Sequence, residues 1–216
     1  MSPTHDDQGN DNTSQTMQPN QTEAQPADSQ LAPDPALHDQ TTMREHRGIV
    51  MVLTGDGKGK STSAYGAITR ALGWGQSVGV VQFIKGEWQT GEQRFFASQP
   101  NVEWHISGAQ FDWSDEAKEQ SAQAAMEAFA QAASMMVTGE YDLIVLDEVN
   151  WAMHQGDLDA AAVLHAIAAR DKSCTVILTG RNAPDLILDA ADLITDMSDT
   201  RHPHRQGMAA MRGVDY

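Results

Sequence analysis

The stretch Gly55-Asp-Gly-Lys-Gly-Lys-Ser61 limits the folds open to this chain more than any other. It joins an apolar run, Gly48-Ile-Val-Met-Val-Leu-Thr54, to a segment with Ala64, Ala67, Ile68, Ala71 and Leu72 at helical spacing, stopped by Gly73. The run is too short for a helix and is bounded by glycines, which suits a strand buried on both faces. A glycine-rich turn ending Gly-Lys-Ser between such a strand and a helix is the setting that a phosphate-binding loop requires. Gly55, Gly57 and Gly59 let the backbone curl tightly and approach an anion. The helix N-terminus then offers free N–H groups and the positive end of its dipole. Lys60 can reach a phosphate oxygen, and the Ser61 hydroxyl can serve a magnesium ion. The spacing departs from the G-x-x-x-x-G-K-[ST] form, whose first glycine would fall at Thr54. Lys58 is either a second phosphate contact or a solvated side chain.

The rest of the chain alternates in the same way. Strands are expected at Ser77 to Ile84, Val102 to Ile106, Asp142 to Asp147, Cys174 to Thr179 and Leu193 to Asp196. Between them, Ser114 can cap a long helix with Asp115 and Glu116 in its first turn. Its core stripe is read as Ala122, Met126, Phe129, Ala133, Met136 and Val137, and Gly139 ends it. Further helices are expected over Leu158 to Ala169 and from Pro184 to about Ala191. This pattern predicts an α/β fold of P-loop NTPase-like (RecA-like) type, a mostly parallel sheet with helices on both faces. Residues 1–43 are polar and acidic and hold too little apolar surface to offset their ordering entropy. They read as a disordered tail ahead of one domain over 44–216.

Charge excludes several function classes. There are 14 Lys and Arg against 30 Asp and Glu, a net charge of −16. A protein that coats nucleic acid needs a basic face, and so does one drawn to an anionic membrane. No nucleic acid and no membrane partner is expected, so a bound polyanion must be held by a local site. No apolar run approaches roughly 18 residues, and MSPTHDDQGN lacks the features of a secretory signal. A cytoplasmic protein is expected. Cys174 is the one cysteine, which leaves no internal disulfide and no multi-cysteine zinc site.

Two other strand ends carry candidate chemistry. Asp147-Glu148 follows the run Leu143 to Leu146, where an acid can complete a magnesium shell. Glu148 is expected to be the closer metal contact, with Asp147 supporting. Thr179-Gly-Arg181 should end on the same edge of the sheet, where Arg181 can clamp phosphate with its planar fork. His105, His154 and His165 are scattered, and His202 and His204 flank Pro203. These features leave open a P-loop nucleoside or small-molecule kinase and an ATP-hydrolysing switch.

Several segments occur together in one order: Thr54 to Ser61, Val80-Val-Gln-Phe-Ile-Lys-Gly86 with Trp88 and Gly91-Glu92, Phe111-Asp-Trp113, Leu146-Asp-Glu148, Thr179-Gly-Arg181 and Gly213-Val-Asp-Tyr216. In this combination the chain resembles the P-loop type of corrinoid adenosyltransferase, over roughly residues 46–216. The resemblance implies that a Co(I) corrinoid attacks the 5′ carbon of ATP and that triphosphate leaves. It implies ATP and a reduced corrinoid as substrates, magnesium (or manganese in its place) as cofactor, a homodimer, and a reduced flavoprotein as electron donor. Carried over by position, Gly55, Asp56, Gly57, Lys58, Gly59, Lys60 and Ser61 would hold triphosphate, with Arg181 adding charge. Ser61 and Glu148 would hold the metal. Lys60 would counter charge that grows on the leaving group. Phe111 and Trp113 match the aromatic pair that this family sets against the lower face of the corrinoid. His202 and His204 are either surface residues or contacts to a corrinoid side chain or phosphate. Asp56 departs from the Asn common in the family, and residues 1–43 show no helical stripe like the arm that some members fold over the corrinoid.

Overall fold

The computed structural model describes residues 47–84, 89–107 and 115–215. Six strands run in order along the chain: β1 (Val50–Thr54), β2 (Val78–Gln82), β3 (Val102–Ile106), β4 (Leu143–Asp147), β5 (Thr175–Thr179) and β6 (Leu193–Asp196). The helices are α1 (Lys60–Gly73), α2 (Gly91–Phe96), α3 (Asp115–Val137), α4 (Val149–Gln155), α5 (Ala160–Ala169) and α6 (Asp185–Leu188). The sheet order is β3-β2-β4-β5-β1-β6, and every pairing is parallel. All strand C-termini therefore open on one edge, and β5 alone separates β1 from β4.

Alternation along each strand builds two cores. Val52, Ile144, Leu146, Val176 and Leu178 face α3, α4 and α5. Leu53, Val80, Val145 and Ile177 face α1, which contributes Ala64, Tyr65 and Ile68. The expected helices on both faces and the parallel sheet are present. At the opposite edge, buried Arg170 donates to the carbonyls of Cys174, Ile167 and Gly48, tying the end of α5 to the start of β1. Burial pushes the Cys174 thiol up to about 11, so it packs as an inert apolar group.

The face of α3 differs from the expected stripe. Its buried residues are Ala125, Ala128, Ala132, Met135 and Met136, while Met126 and Val137 are half or more exposed. Of the expected stripe, Met136 is buried and Phe129 packs against the core, but the docking face is turned toward Ala125, Ala128, Ala132 and Met135. A Cβ added at Gly79 of β2 would lie 2.4 Å from the Met135 Cε, so Met135 fills the space over that glycine. Other boundaries shift slightly. Strand β2 ends at Gln82, where the Phe83 N–H donates to the Asp147 carbonyl and makes the last ladder bond to β4. Helix α5 starts at Ala160, where the Asp159 side chain caps it by accepting from the Ala161 N–H. Ser114, expected to cap α3, lies outside the described residues. The short helices α2 and α4 were not anticipated, because neither is long enough to show a period. Strand β6 is a solvent-exposed edge.

Candidate functional site

The turn after β1 is shaped by what lies behind it. Gly55 has φ +92°, and a Cβ there would meet the Asp196 carboxylate at 2.4 Å and the Met197 carbonyl at 2.6 Å. At Gly57 a Cβ would lie 2.5 Å from the Ser198 carbonyl, and the Gly57 N–H donates to Met197 O at 2.6 Å. These two glycines admit the passing chain of residues 197–198, just after β6. The sequence reading assigned them to close approach of an anion; the close approach seen here is to residues 197–198, and Gly57 also lines the cleft. Gly59 is different: it is left-handed (φ +118°), precedes α1, and has open space around it apart from the Met197 sulfur at 3.4 Å. No side chain caps α1 there, so the N-terminal amides face the cleft without a side-chain acceptor.

Lys60 is 7% exposed, and its Nζ donates to the carbonyls of Gly55 at 2.7 Å and Gly57 at 2.6 Å. The ammonium is thus held against its own loop. Burial lowers its pKa most, the Glu148 carboxylate opposes that, and the Arg181 charge adds to it. Lys58 keeps an exposed side chain and lines the cleft. Its Nζ lies 2.6 Å from the Asp215 carboxylate, in an ion pair with residues 211–215. Arg181 projects from the end of β5 and donates to the Asp56 carbonyl at 3.2 Å.

Gly57 to Ser61, Glu148 and Arg181 line one cleft of about 290 Å³, at the low end for small-molecule sites. Gly55 and Asp56 do not. They line the neighbouring cleft with Asn182 and Asp199. Phe111 and Trp113 lie outside the described residues.

The two acids after β4 have separate surroundings. Asp147 is 2% exposed and accepts from the Tyr65 hydroxyl (2.7 Å), the Thr179 hydroxyl (2.7 Å) and the Gln82 amide (3.2 Å). Burial, then the Asp147 charge, push the Tyr65 phenol well above its ordinary value, so it stays a donor. The Thr179 oxygen also accepts from the Glu148 N–H at 2.9 Å. Glu148 sits in the left-handed region at φ +62°, a costly conformation for a residue with a Cβ. Burial and the adjacent Asp147 push its pKa up to about 7, while Lys60 and Arg181 pull it down.

A hydroxyl and a carboxylate are hard oxygen donors that suit magnesium, which keeps several waters and needs few protein ligands. Among the described residues no three His, Cys, Asp or Glu side chains gather as a metal cluster, in keeping with so sparse a donor set. The raised pKa of Glu148 marks a carboxylate short of positive charge, which a divalent cation would supply.

Sequence reasoning missed or left open several residues of the cleft. Tyr65, Gln82, His202 and Asp215 line it, yet none stands in a loop motif. Tyr65 is hidden in the apolar pattern of α1. His202, for which the sequence allows a surface position or a ligand contact, is half-buried and lines the cleft. The only signal for Asp215 was its place in Gly213-Val-Asp-Tyr216.

A parallel sheet, a Gly-Lys-Ser loop after β1 and an acidic pair two strands away define a P-loop nucleotide-binding α/β protein. The chain belongs to the ATP:corrinoid adenosyltransferase family BtuR/CobO/CobP, whose family model matches residues 46–216. It is 41% identical to a corrinoid adenosyltransferase of Pseudomonas aeruginosa over 174 residues, covering 80% of this chain and 86% of that one. It is 38% identical to corrinoid adenosyltransferase CobA of Salmonella typhimurium over 173 residues, 80% and 88% of the two chains. A corrinoid adenosyltransferase of Escherichia coli matches at 36% over the same shares. The chain is therefore an ATP-dependent transferase that adenosylates cobalt corrinoids, and the kinase and switch readings fall away. Among the described residues no helix is long and apolar enough to cross a membrane.

Proposed function

We propose that the cleft grips the triphosphate of ATP as a leaving group while the ribose 5′ carbon faces the cobalt of a Co(I) corrinoid. The electron pair of Co(I) forms the cobalt–carbon bond. The carbon–oxygen bond breaks, and its pair leaves on triphosphate. Co(I) is itself a strong nucleophile, so no general base is required. The observation that carries this reading is the buried Lys60 ammonium, held across the loop by two carbonyls and sharing one cleft with Ser61 and Glu148. A cation fixed before reaction can stabilise charge growing on the leaving oxygen without reorganising.

The open amides after Gly59 would bind phosphate oxygens, and Arg181 would add charge from the rim. Ser61 and Glu148 would hold magnesium, or manganese in its place, with Asp147 fixing Glu148 through Thr179. When bound, that ion supplies charge neutralisation at the phosphates. Gly55 and Asp56 would shape the loop from behind. Phe111 and Trp113 would pack on the lower face of the corrinoid and exclude its axial ligand, which eases reduction to Co(I). We also assign to this reading a homodimer, a reduced flavoprotein donor, a cytoplasmic location and one domain over 44–216; the tail expected over 1–43 lies outside the described residues.

The test is an anaerobic reaction with chemically reduced cobalamin, ATP and magnesium, following the corrinoid spectrum and the phosphate product. A light-sensitive cobalt–carbon product with one triphosphate per turnover is expected. Formation of ADP, or no product with cobalamin and with cobinamide, would overturn it.

A further inference from the structure

Lys58 stands in the phosphate loop but spends its charge elsewhere. Its Nζ lies 2.6 Å from Asp215, and the pair is only partly exposed, at 40% and 23% of the two side chains. Asp215 is also the clasp of its own turn. Its carboxylate accepts from the Met211 N–H at 2.7 Å, and its N–H donates to the Met211 carbonyl at 2.8 Å. The Val214 N–H donates to the same carbonyl at 3.1 Å. One carboxylate thus closes the turn and ties it to the loop. The turn lies at the site, because Val214 and Asp215 line the cleft beside Lys58 and His202. The Lys58 ammonium holds the Asp215 carboxyl below its ordinary range.

Two other roles for Lys58 fit these contacts poorly. A direct phosphate contact would have to give up a short ion pair. A carboxylate that occupies the phosphate site in place of substrate should reach Lys60 or Arg181, whose hydrogen bonds go instead to the loop carbonyls. We infer that Lys58 and Asp215 form a strap that fastens the turn 211–215 as a wall of the ATP cleft. On this view both are positioning residues, and they act on ATP through the wall rather than by touching its phosphates. The inference rests on the cleft being the ATP site, and one of its tests does not.

That test is hydrogen exchange on the full-length, ligand-free protein. Lys58→Met should speed exchange at the amides of Met211, Val214 and Asp215 by up to about fivefold, the upper end for an exposed ion pair. Lys58→Arg should keep them near wild type. Unchanged protection in Lys58→Met overturns the strap whatever the ligand.

The second test is a double-mutant cycle on the dissociation constant for ATP. Lys58→Met and Asp215→Asn should each weaken ATP binding to a similar extent, up to about fivefold. The double variant should be no weaker than either, and Lys58→Arg should restore binding. If Asp215→Asn tightens binding while Lys58→Met weakens it, Lys58 is a direct phosphate contact and the strap is overturned. If both variants tighten binding, the turn competes with ATP and the strap is again overturned. Failure of the wild type to bind ATP would sink the reading of the cleft, while the exchange result would still decide the strap.

Discussion

The floor and the rim of the cleft are built on opposite principles. At the floor, Asp147, Tyr65 and Thr179 are almost fully buried and joined by hydrogen bonds of 2.7 Å. At the rim, Arg181 makes a single 3.2 Å bond to a carbonyl, and Lys58 meets Asp215 at a partly exposed ion pair. Buried polar groups are costly when unpaired, so the floor has one arrangement that satisfies it. Exposed charges are screened and can move at little cost. Geometry is thus fixed from below, and adjustable charge is supplied from the side. Lys60 joins the two: it is a loop residue, yet buried and doubly bonded like the floor.

That position makes Lys60 the severest test of the contrast. Lys60→Ala should lower the transfer rate by about 10²–10³, the range seen when one preorganised electrostatic donor is removed. Single-turnover kinetics with prepared Co(I) would measure it, and near-normal turnover would place Lys60 with the rim. The floor should next reveal itself in stability. Thr179→Val keeps the shape but removes the donor to Asp147 and the acceptor for the Glu148 N–H. Leaving such buried groups unpaired costs about 1–3 kcal/mol, and a melting curve should fall by roughly 2–4 °C for each kcal/mol. An unchanged melting temperature would show that water replaces the hydroxyl and that the floor is less closed than its bonds imply.

The rim was more legible in the sequence than the floor. Gly-Lys-Ser after an apolar run located the loop, and acids and Arg181 at strand ends located the edge, because parallel strands must end together. The floor depends on pairings between residues far apart in the chain, such as Tyr65 with Asp147, and no local pattern encodes those. The contacts behind Gly55 and Gly57 were hidden for the same cause, since Met197 and Ser198 lie more than a hundred residues away. Helix α3 shows the limit of reading one helix by itself: Met135 is buried over Gly79, a partner with no side chain to announce it.

Glu148 lies between floor and rim, and its pH dependence can place it. Its folded pKa of about 7 stands above the ordinary carboxylate value of 4.5. The folded state therefore holds a proton that the unfolded chain has released. Its contribution to stability is undiminished below about pH 4.5, falls as pH rises through the interval to about 7, and is constant above that. In metal-free protein, Glu148→Gln should raise the melting temperature by a few degrees at pH 8 and change it little at pH 4. Equal effects at both values would mean that Glu148 is solvated and belongs to the rim.

The smallest effect is expected at Arg181. Its guanidinium is exposed and makes one long bond to the Asp56 carbonyl, so Arg181→Ala should leave the melting temperature within about 1 °C, as for exposed charges in general. Its charge nevertheless borders the cleft proposed to hold ATP, where screening is weaker than in bulk water. The KM for ATP should rise by about threefold to tenfold, within the span of an ordinary net hydrogen bond. Raising the salt concentration should shrink the difference between variant and wild type, because a rim charge acts through solvent. A defect that persists at high salt and comes with a loss of stability would move Arg181 to the floor. The division between fixed geometry and adjustable charge would then have to be redrawn along β5.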